Sequence, residues 1–386
     1  MSEEQRCDDV APVNGDGGAI ISRIQDWGFQ KIVPVNAAIE ITQRCNIRCL
    51  HCYNFDRDEP QVREDACATT PELSTAEILQ VMADLRAAGC LFLMLTGGEI
   101  LSHADLFTFM DRARELNFSL QLLTNGTMLK PGVAARIAAY ENLQGVSVSV
   151  YGATAPVHDG VTQMPGSWRR TWDGIKRLKH LGVVVRVKFI IMRQNAHEVG
   201  AMQAMATEMG LPYSIDMNIT PRHDGSRGSL QTRIELDQLE TLYRGPLSRL
   251  VSKKARSAPE AVACNCARGN VAITSTGNVQ PCISVPWVAG NIREQAFAEI
   301  WKTSPVFERI RGFKLADYKK CAPCEHRAYC RYDRSSAYNT TGDYTNPDPF
   351  TCATAELTHR LADEHAAGET PTEERLFNVR RVANAR

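Results

Sequence analysis

The chain has 386 residues, 44% of them hydrophobic and 23% charged, enough for one large domain plus a smaller one with a sizeable buried core. Its 44 basic and 44 acidic residues cancel, which removes the charge footprint expected of a nucleic-acid binder or of a protein seated on an anionic membrane. The first twenty residues lack the apolar core of a secretion signal and no stretch approaches the length of a membrane span; 13 cysteines in such a chain point to the reducing cytoplasm, where clustered thiols bind metals or do redox chemistry.

Residues 1–33 read as an extension, polar and disordered at first, then weakly amphipathic and packed; Cys7 has no partner pattern there. From about residue 35, short apolar runs alternate with helical patterns. The predicted strands are 37–41, 91–95, 119–123, 146–150, 183–191 and 213–218, and the predicted helices 74–89, 103–117, 131–140, 168–181 and 197–210. Ser74 followed by Glu77 is a capping box, and Gly210 is a natural helix stop. Such alternation predicts an α/β fold with a parallel sheet, and six strands fit an open partial barrel. In folds of this kind the chemistry collects beyond the C-terminal ends of the strands.

The first of those ends carries Cys45, Cys49 and Cys52 at C-x-x-x-C-x-x-C spacing. Three thiolates on one loop can each hold an iron of a cubane cluster, leaving the fourth iron open for chemistry. A zinc site or a disulfide framework competes with this reading, although zinc usually takes paired C-x-x-C knuckles. The spacing resembles the signature of the radical S-adenosylmethionine (radical SAM) enzymes. The resemblance implies a partial (β/α)6 barrel, a 4Fe–4S cluster whose open iron is chelated by the amino and carboxylate groups of SAM, and a flavodoxin- or ferredoxin-type reductant. It also implies one-electron cleavage of SAM to a 5′-deoxyadenosyl radical that abstracts hydrogen from a substrate.

The other strand ends extend the resemblance. Thr96-Gly97-Gly98-Glu99 looks like the family's GGE motif, which receives the ammonium of SAM, with Ile100 where the family more often has proline. Paired glycines there would let the backbone approach a ligand. Thr124 and Asn125 open a TNGT turn like the one near the ribose, and Ser149 matches a strand serine that bonds the SAM carboxylate in relatives. Arg193, Gln194 and Asn195 are candidates for adenine, ribose or carboxylate contacts. His51 is expected to shield the cluster, Cys90 to be buried, Cys67 to be isolated, and most methionines to fill the core. The polar loop after the sixth strand makes Asp216, His223 and Asp224 the acid–base candidates.

A second cysteine region begins at Cys264 and Cys266. A Gly277-Asn278 hairpin follows, which would bring Cys266 and Cys282 together, and then Cys321, Cys324, Cys330 and Cys352. The spacing resembles the SPASM extension of radical SAM peptide- and protein-modifying enzymes, except that Arg334 stands where that pattern has a cysteine. The resemblance implies a distal auxiliary cluster on Cys321, Cys324, Cys330 and Cys352. A proximal one on Cys264, Cys266 and Cys282 would lack one thiolate, for which Asp333 is a possible oxygen donor, so one or two auxiliary iron–sulfur clusters are expected. A zinc-ribbon-like domain is the competing reading. The predicted organisation is extension 1–33, barrel 34–220, linker 221–260, a small cysteine-rich domain 261–352, and a closing helix and tail 353–386. The expected substrate is a peptide or protein, presented by a separate recognition protein because the N-terminus has no room for a fused winged-helix module. The alternatives are a tetrapyrrole side chain of the heme d1 type or a small molecule, and, outside catalysis, a metal-bearing interaction protein.

Overall fold

The structure is a computed structural model that describes residues 16–54, 70–254, 258, 261–262 and 264–368. Cys7, Cys67, the expected disordered start and most of the charged tail lie outside the described residues. Six parallel strands are present: β1 (Asn36–Glu40), β2 (Phe92–Thr96), β3 (Ser119–Thr124), β4 (Leu143–Val150), β5 (Val185–Ile190) and β6 (Tyr213–Asp216). They neighbour one another in sequence order, each parallel to the next, as an open partial barrel requires.

The period of two along each strand builds two different faces. Ile39, Leu93, Leu95, Leu122, Val148, Val187 and Phe189 pack outward into the helical layer and are buried. The alternate positions turn inward and are polar: Glu40, Gln121, Ser147, Ser149, Lys188 and Asp216. A core face is thus satisfied by ordinary apolar burial, while the interior is left free for chemistry.

Ser74 caps the helix Thr75–Ala87 with the reciprocal Glu77 bond that the sequence predicts. Glu77 also accepts from Arg293 Nε at 2.6 Å, and Arg293 donates to the carbonyls of Pro71 and Glu72. This arginine ties the cysteine-rich region to the barrel. The helix Ala155–Thr162 between β4 and β5 is absent from the sequence reading, because its Pro156 and Gly160 obscure the periodicity.

The hairpin of the cysteine-rich region does not stand apart. Its strands β7 (Asn270–Ile273) and β8 (Asn278–Gln280), with β9 (Gly290–Asn291), extend the barrel sheet into nine strands, β7 lying parallel to β1. The closing helix runs Pro349–Gly368, and Asp348 just before it holds Arg233 of the linker at 2.5 Å. No helix among the described residues is long and apolar enough to cross a membrane.

Candidate active site

The loop carrying Cys45, Cys49 and Cys52 leaves the end of β1 and is held from three sides by backbone bonds. The GGE turn holds it first: Gly98 N–H donates to Thr42 O at 2.7 Å and Glu99 N–H to Arg44 O at 2.8 Å. The end of the helix Ala155–Thr162 holds it next, where Arg48 and Leu50 N–H donate to the carbonyls of Thr162 and Val161. The loop after β6 completes the clamp. Arg222 Nε donates to Cys52 O at 3.1 Å and Nη2 to Leu50 O at 3.3 Å, and the His223 and Asp224 N–H groups donate to the carbonyls of Tyr53 and Asn54. These bonds, donated and accepted, anchor the cysteine loop to three neighbouring segments.

Loop packing by itself demands glycine at both positions of the GGE turn. A Cβ at Gly97 would lie 2.2 Å from Thr42 O, and one at Gly98 would lie 2.3 Å from Arg44 O. They let the two loops pack backbone to backbone, and the φ of +147° at Gly97 adds a second demand for glycine.

The Glu99 side chain also serves the fold. Its carboxylate is fully buried and accepts from Thr124 Oγ1 (2.6 Å), Asn125 N–H (2.7 Å) and Leu101 N–H (3.0 Å). It joins the GGE turn to the TNGT turn. Asn125 in turn reaches the cysteine loop, donating to Asn46 Oδ1 at 2.9 Å and to Cys45 Sγ at 3.9 Å.

The three candidates after β5 separate. The side chain of Asn195 bonds to its own surroundings: Nδ2 donates to the carbonyls of Tyr151 and Ile190, and Oδ1 accepts from Met192 N–H. It brackets β4 to β5. Arg193 forms an ion pair with Glu235 on the outer rim. Gln194 keeps a buried Oε1 with no partner, so its bonding capacity is unspent.

Ser149 lies beside the buried Tyr151, which also neighbours Cys49 and Cys45. Tyr151 packs edge-on against His51 at 4.8 Å. Burial pushes the His51 imidazole down to about 4, so it is neutral near pH 7, and its Nδ1 is buried without a partner. Asp216 pairs with Lys188 at 3.3 Å on the inner wall, within electrostatic reach of His51. Asp224 is buried and accepts from Ser226 N–H at 2.8 Å. The His223 ring meets Tyr53 at 5.1 Å, and the Tyr53 hydroxyl donates to Glu40 Oε1 at 3.4 Å. Sequence reading missed Glu40, Tyr53, Tyr151, Lys188 and Arg222. The inward phase of the strand alternation could have flagged Glu40 and Lys188.

The later cysteines gather in two groups. Burial pushes Cys330 up to about 12, and Cys321, Cys352 and Cys324 act on it electrostatically in the same direction, although among the described residues no three such side chains close to metal-holding distance. Cys264 Sγ lies 3.2 Å from Cys266 Sγ, and Cys282 is the next neighbour of Cys266. Both donor sets, and the set at Cys45, have the all-sulfur chemistry that iron–sulfur clusters take.

The Radical SAM superfamily model matches residues 39–202, and the SPASM iron–sulfur cluster-binding domain matches residues 264–325. This is a radical SAM enzyme with a C-terminal SPASM domain. Its cofactors are a SAM-binding 4Fe–4S cluster, SAM itself and auxiliary iron–sulfur chemistry in the SPASM domain. The radical SAM chain is 29% identical to the AdoMet-dependent heme synthase of Methanosarcina barkeri, over 81% of this chain and 95% of that one. It is 26% identical to the PqqA peptide cyclase of Methylorubrum extorquens, over 88% and 90%. Its fold is similar to that of SuiB from Streptococcus suis solved with S-adenosylmethionine, with a TM-score of 0.61 at 16% identity over 88% and 83%.

Proposed function

We propose that this enzyme abstracts a hydrogen atom from a peptide or protein substrate bound inside the barrel mouth. Cys45, Cys49 and Cys52 hold the SAM-binding cluster in this reading, and Cys321, Cys324, Cys330 and Cys352 hold the distal auxiliary cluster. When bound, the first cluster and SAM supply reductive cleavage to a 5′-deoxyadenosyl radical. The chain's own residues do the rest. The backbone clamp of residues 97–99, 161–162 and 222–224 keeps the cysteine loop rigid. Gln194 and Ser149 offer polar contacts to the nucleotide, and the buried Tyr151 and neutral His51 keep water from the radical. A flavodoxin- or ferredoxin-type protein delivers the electron, a separate recognition protein presents the peptide, and the enzyme works in the cytoplasm.

The observation that carries the peptide reading is the Lys188–Asp216 pair. The wall beside the cysteine loop offers balanced charge, which suits a peptide of mixed polarity; a substrate with several carboxylates needs uncommitted cations. The match to the PqqA peptide cyclase, over 88% of this chain, supports it. A second reading, modification of a tetrapyrrole side chain, is favoured by the 29% identity to a heme synthase. Anoxic assays with SAM and reductant separate the two. A short peptide encoded beside the enzyme should raise 5′-deoxyadenosine formation and change mass, whereas turnover only with a carboxylated iron–tetrapyrrole would establish the second reading. Deuterium transfer from labelled substrate into 5′-deoxyadenosine identifies the position attacked.

A further inference from the structure

In a chain whose charges cancel, the helix Ser167–His180 is strongly basic. Five of its 14 residues are Lys or Arg, against one acid, Asp173. Its buried stripe of Thr171, Trp172, Ile175 and Leu178 turns the cations outward, so that Arg169, Arg170 and Lys176 are exposed. Lys130 is exposed at the start of the neighbouring helix Pro131–Ala138, which packs against this one. Among the described residues, no carboxylate pairs with any of these four cations; Arg170 reaches only Met164 Sδ, at 3.9 Å. Asp159 is committed to the helix start, accepting from Gly166 N–H at 2.6 Å, Ser167 Oγ at 2.8 Å and Trp168 N–H at 2.7 Å.

The same helix is stapled to the cysteine loop. Thr171 Oγ1 donates to Asn125 O at 2.9 Å, and Asn125 Nδ2 donates to Asn46 Oδ1 of that loop at 2.9 Å. Just before the helix, Thr162 O accepts from Arg48 N–H at 3.0 Å. Arg44, Asn46 and Arg48 are exposed there, interleaved with the half-buried Cys45 and Cys49. The cysteine loop therefore reaches solvent at the edge of the basic face. Unpaired cations gathered on one face attract an anionic partner and orient its approach. The electron for SAM cleavage must enter close to the cysteine loop, because electron transfer fades steeply with distance.

We propose that the face of Lys130, Arg169, Arg170 and Lys176 is the docking site of an acidic one-electron carrier protein, which delivers its electron across the 44–48 edge of the cysteine loop. The inference rests on the reading that Cys45, Cys49 and Cys52 hold the SAM-binding cluster and that a flavodoxin- or ferredoxin-type protein is the reductant. In each encounter the carrier loses one electron and the cluster gains it; no proton moves and no bond is made or broken in docking.

The test uses the full chain with its clusters and follows 5′-deoxyadenosine formation from SAM at low salt. Three arms supply electrons: reduced flavodoxin, reduced ferredoxin, and photoreduced deazaflavin, a small uncharged donor. Arg169→Glu and Lys176→Glu should each lower kcat/KM about three- to tenfold with whichever carrier serves, and leave the deazaflavin rate unchanged. The loss should vanish near 1 M salt, where the screening length is about 3 Å. Lys302→Glu, on the helix Phe297–Thr303 of the cysteine-rich region, changes the net charge equally and should have no effect. An equal loss in this control, a loss in the deazaflavin arm, or an unmoved carrier-driven rate each overturns the proposal. So does sedimentation with phosphatidylglycerol vesicles that the variants lose while carrier-driven turnover stays unmoved, since the face would then belong to a lipid surface. Where a variant fails to fold, the wild type still decides: its turnover must fall with salt in the carrier arm and not with deazaflavin. Failure of the underlying reading looks different. A wild type driven by deazaflavin but by neither carrier removes the reductant, and a Cys49→Ala variant that still cleaves SAM removes the cluster from this loop.

Discussion

Thr124 Oγ1 donates to Glu99 Oε1 at 2.6 Å across 25 residues of chain, joining the loops at the ends of β2 and β3 through one buried carboxylate. Each neighbouring loop then contacts the cysteine loop: Glu99 through its own N–H to Arg44 O, and Asn125 through Asn46. The SAM-side architecture hangs on this junction.

Replacing Glu99 with alanine should therefore strand three buried donors. A loss of about 2–4 kcal/mol in urea unfolding is expected, with Glu99→Gln costing less because it keeps an acceptor. Iron retention at the first cluster should fall in the same order. Unchanged stability in both variants would remove Glu99 from this role.

Glu40 gives a pH prediction. Burial holds its carboxyl up at about 7, against an ordinary 4.5, although Tyr53 and the Ser275 backbone pull the other way. Between those values the folded chain binds the proton more tightly than the unfolded one. The contribution is full below about pH 4.5 and is lost as pH rises through about 7. Unfolding free energy should drop by up to about 3 kcal/mol across that window, and Glu40→Gln should flatten the slope. Denaturant titrations at a series of pH values read this directly, and a wild-type slope of zero is the adverse result.

Arg222 bonds two carbonyls of the cysteine loop and Ser226 Oγ at once. Arg222→Ala should cost about 1–3 kcal/mol and speed iron loss from the first cluster in air. Lysine should rescue poorly, because one ammonium cannot span the guanidinium fork. Protection of the Leu50 and Cys52 amides in hydrogen exchange should fall in parallel.

The Lys188–Asp216 pair is partly exposed, so it contributes little to folding. Asp216→Asn should change stability by less than about 1 kcal/mol and leave iron content intact. If the pair touches substrate, kcat/KM should drop about tenfold, as loss of about 1.4 kcal/mol of binding implies. Full turnover in this variant would take Asp216 out of the site.

The legible part of the site was the part written in local spacing. Cys45, Cys49 and Cys52 sit within eight residues, and the capping box at Ser74, which spans four, is present in the structure. Asn195 and Glu99 show the limit of such reading, because an amide or carboxylate on a strand-end loop looks the same whether or not it also braces the fold. Only the bonds made to Tyr151, Ile190 and Met192, or to Thr124, Asn125 and Leu101, reveal the bracing role.

From the amino-acid order alone come the cluster chemistry, the six-strand α/β alternation and the second set of cysteines, because ligand spacing and apolar period are properties of neighbouring residues. The tertiary structure decided that Gly97 and Gly98 exist to let two loops touch, that Arg222 holds the cysteine loop, and that β7 continues the barrel sheet beside β1. Each of these depends on groups distant in the chain meeting in a water-poor interior. There a hydrogen bond or a steric limit acts at full strength, and no pattern of adjacent residues records which partners will meet.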